Sequence, residues 1–336
     1  MRTIAWSEDN GGGITLMDQR ALPLRTEELR ITDHKDLIVA IKELAVRGAP
    51  ALGVAGALGV ALIAKNAERE SWSAELRNEA IAELRVARPT AVNLAWGVDQ
   101  VTPLLSQGSA AVLKRALEIA AEDASANRAM GKRGADYLQG ITPHESLRVL
   151  THCNTGALAT TEWGTAFGVI RELHQRGAIT EVFADETRPL LQGSRLTAWE
   201  LSQAGIPYRI LPDGAAASAL FSGQIDAVLI GADRIARNGD SANKIGSLAV
   251  AVAAHHVGVP FLVVAPESTV DRSLKTGAEI EIEFRDDREV THFAGVQVAP
   301  SGALTYNPAF DVTPARLITA VVTENNVYEV GRGVSL

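Results

Sequence analysis

Cysteine is almost absent from this chain of 336 residues, occurring only at Cys153. A single thiol cannot form an internal disulfide and cannot build a structural zinc site, so a disulfide scaffold and a zinc finger are both excluded. A lone cysteine is typical of a reducing compartment, and we therefore expect a cytoplasmic protein.

Basic charge and long apolar runs are also scarce. The net charge is −8, which argues against a long basic surface and predicts no nucleic-acid partner. The N-terminal residues are too polar for an export signal. The longest uncharged apolar stretch, residues 49–64, is shorter than the roughly 20 residues that cross a bilayer. We predict a buried helix there and no membrane partner.

The usual cofactor motifs are missing. A dinucleotide-binding glycine motif would follow the first strand of a nucleotide fold, but His152-Cys153-Asn154-Thr155-Gly156 stands there instead. The Walker, G-x-S-x-G and H-E-x-x-H patterns do not occur. The sequence therefore predicts neither a nucleotide cofactor nor a bound metal.

The hydrophobic periodicity changes near residue 145. The first 140 residues contain short alternating runs around Gly11-Gly12-Gly13, which predict a short antiparallel meander. Several helical patterns follow, and the first of them begins behind Asp33, a plausible N-cap. After Ser146, short apolar runs alternate with helical stretches, which is typical of βαβ units and a parallel sheet. The predicted strands are the runs at 147–151, 181–184, 208–211, 227–230 and 260–264. The predicted fold class is α/β: a small N-terminal β plus helical domain, residues 1–140, followed by a doubly wound Rossmann-like α/β domain, residues 145–336.

Reactive side chains follow the predicted strands of the second domain. Ligands of doubly wound sheets bind beyond the carboxyl ends of the strands, so these residues are site candidates. Any single carboxylate among them can equally cap the following helix, and Cys153 taken alone can equally be a small buried hydrophobe. The candidates are Cys153, Asp185, Glu186, Asp213, Asp233 and Glu267.

Two predicted helix N-termini could bind an anion. In Arg47-Gly48-Ala49-Pro50, the proline suits the first helical turn and leaves backbone N–H groups free beside a guanidinium. Downstream, Asp240 resembles the N-cap of a helix that we expect to run from Lys244 onward. Ordinary helix capping is the alternative interpretation of both segments.

Seven strings along the sequence form an ordered and specific set. They are Val46-Arg-Gly-Ala-Pro-Ala, Ala87-Arg-Pro-Thr-Ala-Val-Asn-Leu, Thr151-His-Cys-Asn-Thr-Gly-Ala-Leu-Ala-Thr, Asp185-Glu-Thr-Arg-Pro-Leu-Leu-Gln-Gly-Ser-Arg-Leu-Thr, Gly231-Ala-Asp-Arg-Ile-Ala, Asn238-Gly-Asp-Ser-Ala-Asn-Lys-Ile-Gly and Asn307-Pro-Ala-Phe-Asp-Val-Thr-Pro. Together they resemble the methylthioribose-1-phosphate isomerase family of methionine salvage, which is related to regulatory subunits of translation initiation factor 2B. The resemblance runs from about residue 1 to about residue 325.

The resemblance implies a homodimeric aldose–ketose isomerase that needs no cofactor and acts on a sugar phosphate. It implies catalytic roles for Cys153 and Asp233, and substrate contacts by Arg47, Gly48, Ala49, Arg88, Gln192, Asn243 and Lys244. We expect burial among apolar neighbours to keep Asp233 protonated as a general acid. We expect a helix N-terminus to favour the thiolate of Cys153.

One segment departs from the family pattern. Asp213-Gly-Ala-Ala-Ala-Ser218 replaces the usual run after the third strand of the second domain, which leaves the sugar's 5-substituent open. The alternatives are an isomerase of 5-deoxyribose 1-phosphate or ribose 1,5-bisphosphate, and a non-catalytic regulatory protein of the initiation-factor type. The regulatory class has no reason to keep Cys153 and Asp233 together with Arg47 and Lys244.

Overall fold

A computed structural model describes residues 2–89 and 92–336, which form two compact units. Unit 1 comprises residues up to 131 together with 155–168, and unit 2 comprises 132–154 and 169–336. The elements that begin in unit 1 are β1 Ile4–Ser7, β2 Gly13–Met17, β3 Glu28–Ile31, α1 His34–Lys42, α2 Ala49–Glu70, α3 Ala74–Arg85, α4 Val92–Val101 and α5 Ser109–Ile141.

The strands of unit 1 form an antiparallel meander in the order β1-β2-β3. This confirms the expected meander, although its third strand begins only at Glu28, because the residues after β2 form turns. The helix predicted behind Asp33 is also present: its side chain accepts a hydrogen bond from the backbone N–H of Lys35 and caps α1.

Helix α2 is the buried helix expected from the apolar stretch. By length and composition it could cross a membrane, but 83% of its most apolar window is buried inside the chain. Glycines let it approach α4 closely. A Cβ on Gly56 would lie 2.5 Å from the carbonyl oxygen of Leu94, and one on Gly97 would lie 1.9 Å from that of Gly53. The two backbones therefore pack where no side chain fits.

Unit 2 is built around a seven-stranded sheet in the order β16-β15-β10-β7-β4-β5-β6. All neighbouring strands are parallel except the edge strand β16. The elements are β4 Leu147–Thr151, α6 Ala166–Gln175 (whose first residues belong to unit 1), β5 Ile179–Asp185, α7 Ala198–Gln203, β6 Tyr208–Leu211, α8 Ala215–Phe221, β7 Ala227–Ile230, β8 Arg234–Ala236, β9 Ser241–Lys244, α9 Ser247–Val257, β10 Phe261–Val264, β11 Val270–Asp271, α10 Arg288–Thr291, β12 His292–Phe293, β13 Val296–Gln297, β14 Phe310–Thr313, β15 Ala320–Val322 and β16 Val327–Tyr328.

The chain winds this sheet in two directions. From β4 it builds β5 and β6 on one side, and it then returns to build β7, β10 and β15 on the other side. Strands β7 and β10 are buried along their whole length, as expected of a parallel sheet covered on both faces. The predicted doubly wound α/β fold is confirmed, with its topological switch point between β4 and β7.

A second sheet, in the order β11-β8-β9-β14, was not expected. It corrects the interpretation of the Asp240 segment, because Ser241–Lys244 is the strand β9 and not the start of a helix. Helix α9 begins only at Ser247, after Gly246 with φ 107°. Asp240 instead accepts hydrogen bonds from the backbone N–H groups of Gly277 and Ala315.

Candidate functional site

Cys153 and Asp233 follow the two strands that flank the switch point. Cys153 lies just beyond β4 and Asp233 just beyond β7. These strands are parallel neighbours, with Leu150 paired to Val228. Both side chains therefore start from the same edge of the sheet, where ligands of doubly wound folds bind.

The backbone of Cys153 is fixed on both sides. Its N–H donates to the hydroxyl oxygen of Thr187 at 2.8 Å, and its carbonyl accepts from the hydroxyl of Thr197 at 2.6 Å. Its φ is 65°, and its side chain is buried. The expectation of a helix N-terminus here is wrong, because only a short 3-10 turn at Ala157–Ala159 follows and α6 starts at Ala166.

Gln192 immediately precedes a π-helical turn at Gly193–Thr197. The turn packs so tightly that a Cβ on Gly193 would lie 1.6 Å from the carbonyl oxygen of Asp185. Gln192 is buried, and its Oε1 has no hydrogen-bond partner within residues 2–89 and 92–336. A buried unpaired carboxamide oxygen can accept a hydrogen bond from a ligand.

Asn243 and Lys244 lie beside Asp233 on the second sheet. The N–H of Asp233 donates to the carbonyl of Ala242 at 2.9 Å, which extends the β8–β9 ladder. The Asn243 amide donates to Ser247 at 2.8 Å, and both Asn243 and Lys244 are buried. Asp233 itself is only half-buried, whereas we expected its carboxyl to be buried among apolar neighbours.

The remaining predicted contacts belong to unit 1. Arg47 precedes α2, Gly48 is its N-cap with φ 96°, and Ala49 is its first residue. A Cβ on Gly48 would lie 2.4 Å from the carbonyl oxygen of Ala159, so only glycine fits. The predicted helix start is confirmed. Arg88 is half-buried in the turn after α3.

Two other carboxylates after the strands accept hydrogen bonds from neighbouring loop residues. Asp213 accepts from the backbone N–H groups of Thr187 at 2.8 Å and Arg188 at 2.7 Å. Glu267 accepts from the hydroxyls of Thr323 at 2.8 Å and Tyr328 at 3.1 Å. The segment that departs from the family pattern therefore begins with a residue that shapes the loop after β5.

Sequence reasoning missed His152, Thr187 and Thr197, although all three stand in the recognised strings. His152, Asp185 and Asp213 offer ligand atoms within 4.8 Å of one another, as in some metal sites. Both ring nitrogens of His152 and both oxygens of Asp213 already make hydrogen bonds, so a cation would have to break them. We assign no metal to this cluster.

Comparison with known proteins decides the family. The model of the initiation factor 2 subunit family matches residues 45–329. The chain belongs to this family. The resemblance found in the sequence is thus confirmed at the family level.

Among its relatives, a probable bifunctional methylthioribose-1-phosphate isomerase/methylthioribulose-1-phosphate dehydratase of Nocardia farcinica is 52% identical over 97% of this chain. The chain spans only 58% of that relative's length. A methylthioribose-1-phosphate isomerase of Heliobacterium modesticaldum is 48% identical, with 98% of this chain and 96% of the relative covered.

Two solved structures of the family are also similar. The 5-methylthioribose 1-phosphate isomerase of Pyrococcus horikoshii OT3 matches with a TM-score of 0.89 and 38% identity, over 98% of this chain and 92% of that one. A structure described as translation initiation factor eIF-2B, subunit delta, from A. fulgidus matches with a TM-score of 0.84 and 40% identity, over 98% and 96%.

Proposed function

We propose that this chain is a methylthioribose-1-phosphate isomerase, which converts 5-methylthioribose 1-phosphate to 5-methylthioribulose 1-phosphate. Cys153 and Asp233 are its reacting residues. The observation that carries the proposal is the position of these two residues beyond neighbouring parallel strands at the switch point. The names of the full-length relatives support the same activity.

The chemistry of the substrate explains the need for an acid. A sugar phosphorylated at C1 is locked as a glycosyl phosphate and cannot open reversibly to a free aldehyde. In the proposed reaction, Asp233 donates a proton to the ring oxygen as the bond from that oxygen to C1 breaks, and it recovers a proton from the C2 hydroxyl as the ketone forms. Cys153 carries the hydrogen from C2 to C1 as a proton, or steers its transfer. If hydrogen moves as a proton through an enediolate, the product made in heavy water gains deuterium, whereas hydride transfer retains the original hydrogen.

The predicted binding residues remain part of the proposal. Arg47, Arg88 and Lys244 are assigned to the phosphate because guanidinium and ammonium groups bind it well, with help from the backbone N–H groups of Gly48 and Ala49. Gln192 and Asn243 are assigned to the sugar, since Gln192 keeps a buried unpaired carboxamide oxygen within the described ranges.

An Arg88→Ala variant tests the phosphate assignment. Loss of a charge-assisted hydrogen bond costs about 1.5–3 kcal/mol, so we expect KM to rise about tenfold or more. The nearby Arg85→Ala variant is the control, because Arg85 pairs with Asp99 on the exposed surface. An unchanged KM for Arg88→Ala contradicts this assignment.

A side-by-side assay tests the substrate. We expect kcat/KM to be highest for 5-methylthioribose 1-phosphate, compared with 5-deoxyribose 1-phosphate and ribose 1,5-bisphosphate. A preference for either competitor would identify a different pentose isomerase. No turnover of any of the three, together with binding to a nucleotide-exchange partner, would instead identify a regulatory protein.

The setting of the enzyme also belongs to the proposal. We assign it to the cytoplasm as a homodimer that acts on a small sugar phosphate, with neither nucleic acid nor a membrane as partner. The net charge of −8 argues against a nucleic-acid partner, and the burial of α2 argues against a membrane partner.

A further inference from the structure

His152 lies at the end of β4, directly before Cys153, and is 1% exposed. Its Nε2 lies 2.8 Å from the carbonyl oxygen of Ile245, and its Nδ1 lies 2.8 Å from Oδ2 of Asp185. A carbonyl oxygen can only accept a hydrogen bond, so Nε2 must carry a hydrogen. This fixes the role of one ring nitrogen.

The other nitrogen faces a buried carboxylate. One proton must lie between Nδ1 and Asp185, and three acidic groups surround the ring: Asp185 on β5, Asp213 after β6 and Asp311 on β14. Burial opposes a charge on the ring, but the hydrogen bond and the charge of Asp185, with the charge of Asp213, raise the pKa of His152. Burial also raises the pKa of Asp185, against the opposing effect of His152, but with three acidic groups facing the ring its surroundings favour the doubly protonated imidazolium.

The ring joins three parts of unit 2 that matter for the proposed site. It belongs to the end of β4 that carries Cys153, it bonds to the end of β5 through Asp185, and it bonds to the corner between β9 and α9 through Ile245. That corner directly follows Lys244. The fit is close, because a Cβ on Gly246 would lie 2.8 Å from Cε1 of the ring.

We propose that His152 is a positioning residue, an imidazolium clamped between the Asp185 carboxylate and the Ile245 carbonyl that fixes the Cys153 loop relative to the end of the strand bearing Lys244. The effect of His152 on catalysis rests on the proposed function. The two hydrogen bonds that hold the ring, called the clamp below, are independent of that function and can be tested without substrate.

Nitrogen-15 NMR of the wild-type protein tests the charge on the ring. The chain has seven histidines, and the signal lost in His152→Gln identifies this one. We expect both ring nitrogens to remain protonated in the range just above about pH 6.5, where an ordinary histidine has lost its proton. One unprotonated ring nitrogen within that range overturns the proposal. His255→Gln, an exposed position on α9, is the assignment control.

Alkylation tests the positioning role, since Cys153 is the only thiol. In Asp185→Asn the clamp loses its charge, and we expect iodoacetamide to modify Cys153 about tenfold faster as the loop opens locally. Gly56→Ala, with its additional Cβ between α2 and α4, provides a destabilised control in unit 1. His152 has no specific role at Cys153 if Cys153 is alkylated at the wild-type rate in both variants. The same conclusion holds if the two variants have equal free energies of unfolding and their alkylation rates rise equally.

Kinetics then link the clamp to the reaction. A displacement of about 1 Å at a reacting group can cost about 100-fold, so we expect kcat/KM of Asp185→Asn to fall by that order. Unchanged kcat/KM overturns the positioning role. A wild-type enzyme that turns over the sugar while its His152 is neutral refutes the clamp alone. A doubly protonated His152 in a protein that turns over no pentose 1-phosphate refutes the proposed function alone.

Discussion

At the scale of single residues, two loops at the sheet edge hold strained backbone. Cys153 and Thr187 both have φ 65°, a conformation that is unfavourable for any residue except glycine and especially for a β-branched one. Thr187 supports Cys153, because the N–H of Cys153 donates to the Thr187 hydroxyl, and Asp213 in turn accepts from the N–H of Thr187. Strain maintained by such contacts is typical of a functional site.

Substitution of Thr187 tests this support. Thr187→Ala leaves the buried N–H of Cys153 without its acceptor, so we expect a loss of about 1–3 kcal/mol in the free energy of unfolding and a clear fall in kcat. Thr187→Ser keeps the hydroxyl and should remain close to wild type in both. Urea denaturation and steady-state kinetics measure the difference, and equal behaviour of the two variants would contradict it.

The stability contribution of His152 should depend on pH. Because folding raises its pKa above the roughly 6.5 of an unfolded chain, the folded state binds the proton more tightly. The contribution is therefore complete below about pH 6.5 and is lost as the pH rises through the folded-state pKa. We expect the difference in unfolding free energy between wild type and His152→Gln to shrink at alkaline pH. If this difference in unfolding free energy instead grows with pH, the result contradicts a raised pKa of His152.

The sequence was sufficient to find residues whose position follows from strand order. Cys153 and Asp233 stand just after apolar runs, and parallel strand ends share one edge. It was insufficient for His152 and Thr187, because their roles depend on partners elsewhere in the sheet, such as Asp185 on β5 and Asp213 after β6. No local pattern encodes such contacts.

At the scale of elements, apolar runs located the central strands well. The predicted runs at 147–151, 208–211 and 227–230 coincide with β4, β6 and β7. Strand β9 escaped prediction because Ser-Ala-Asn-Lys contains no β-branched or aromatic residue. Its extended form depends on pairing with β8 and β14, which is tertiary information.

The close packing of α2 against α4 gives a stability prediction. Gly56→Ala places a methyl group 2.5 Å from the carbonyl oxygen of Leu94, so we expect a loss of about 1–3 kcal/mol in unfolding free energy. Gly140→Ala in α5 is the matched control, since a Cβ there meets nothing within 4 Å, and it should be neutral or gain up to about 1 kcal/mol. Thermal and urea unfolding compare the two. Equal effects would show that the helices can separate.

At the scale of the whole molecule, the chain leaves unit 2 after Asn154 and returns to unit 1 for residues 155–168. Hydrogen bonds tie this segment to the N-terminus, from the N–H of Thr3 to Thr161 and from the Gln19 amide to Leu158. Such contacts join residues far apart in sequence, so periodicity could not reveal them. The domain boundaries given above, 1–140 and 145–336, stay a prediction.

The proposed homodimer predicts a simple solution property. Light scattering of the purified protein should give twice the 35.6 kDa of one chain. The value should persist on dilution to assay concentrations, because enzymatic dimers of this kind are normally stable assemblies. A mass equal to a single chain would remove the dimer from the proposal without affecting the assignment of the reacting residues.

The most direct test of the whole account is the rate of 5-methylthioribose 1-phosphate isomerisation by wild type, Cys153→Ser and Asp233→Asn. Removing a general acid or base typically costs about 100-fold to 10,000-fold, and we expect kcat to fall by that order in each variant while both proteins remain folded. Turnover close to wild type in either folded variant would contradict the assignment of that residue to the reaction.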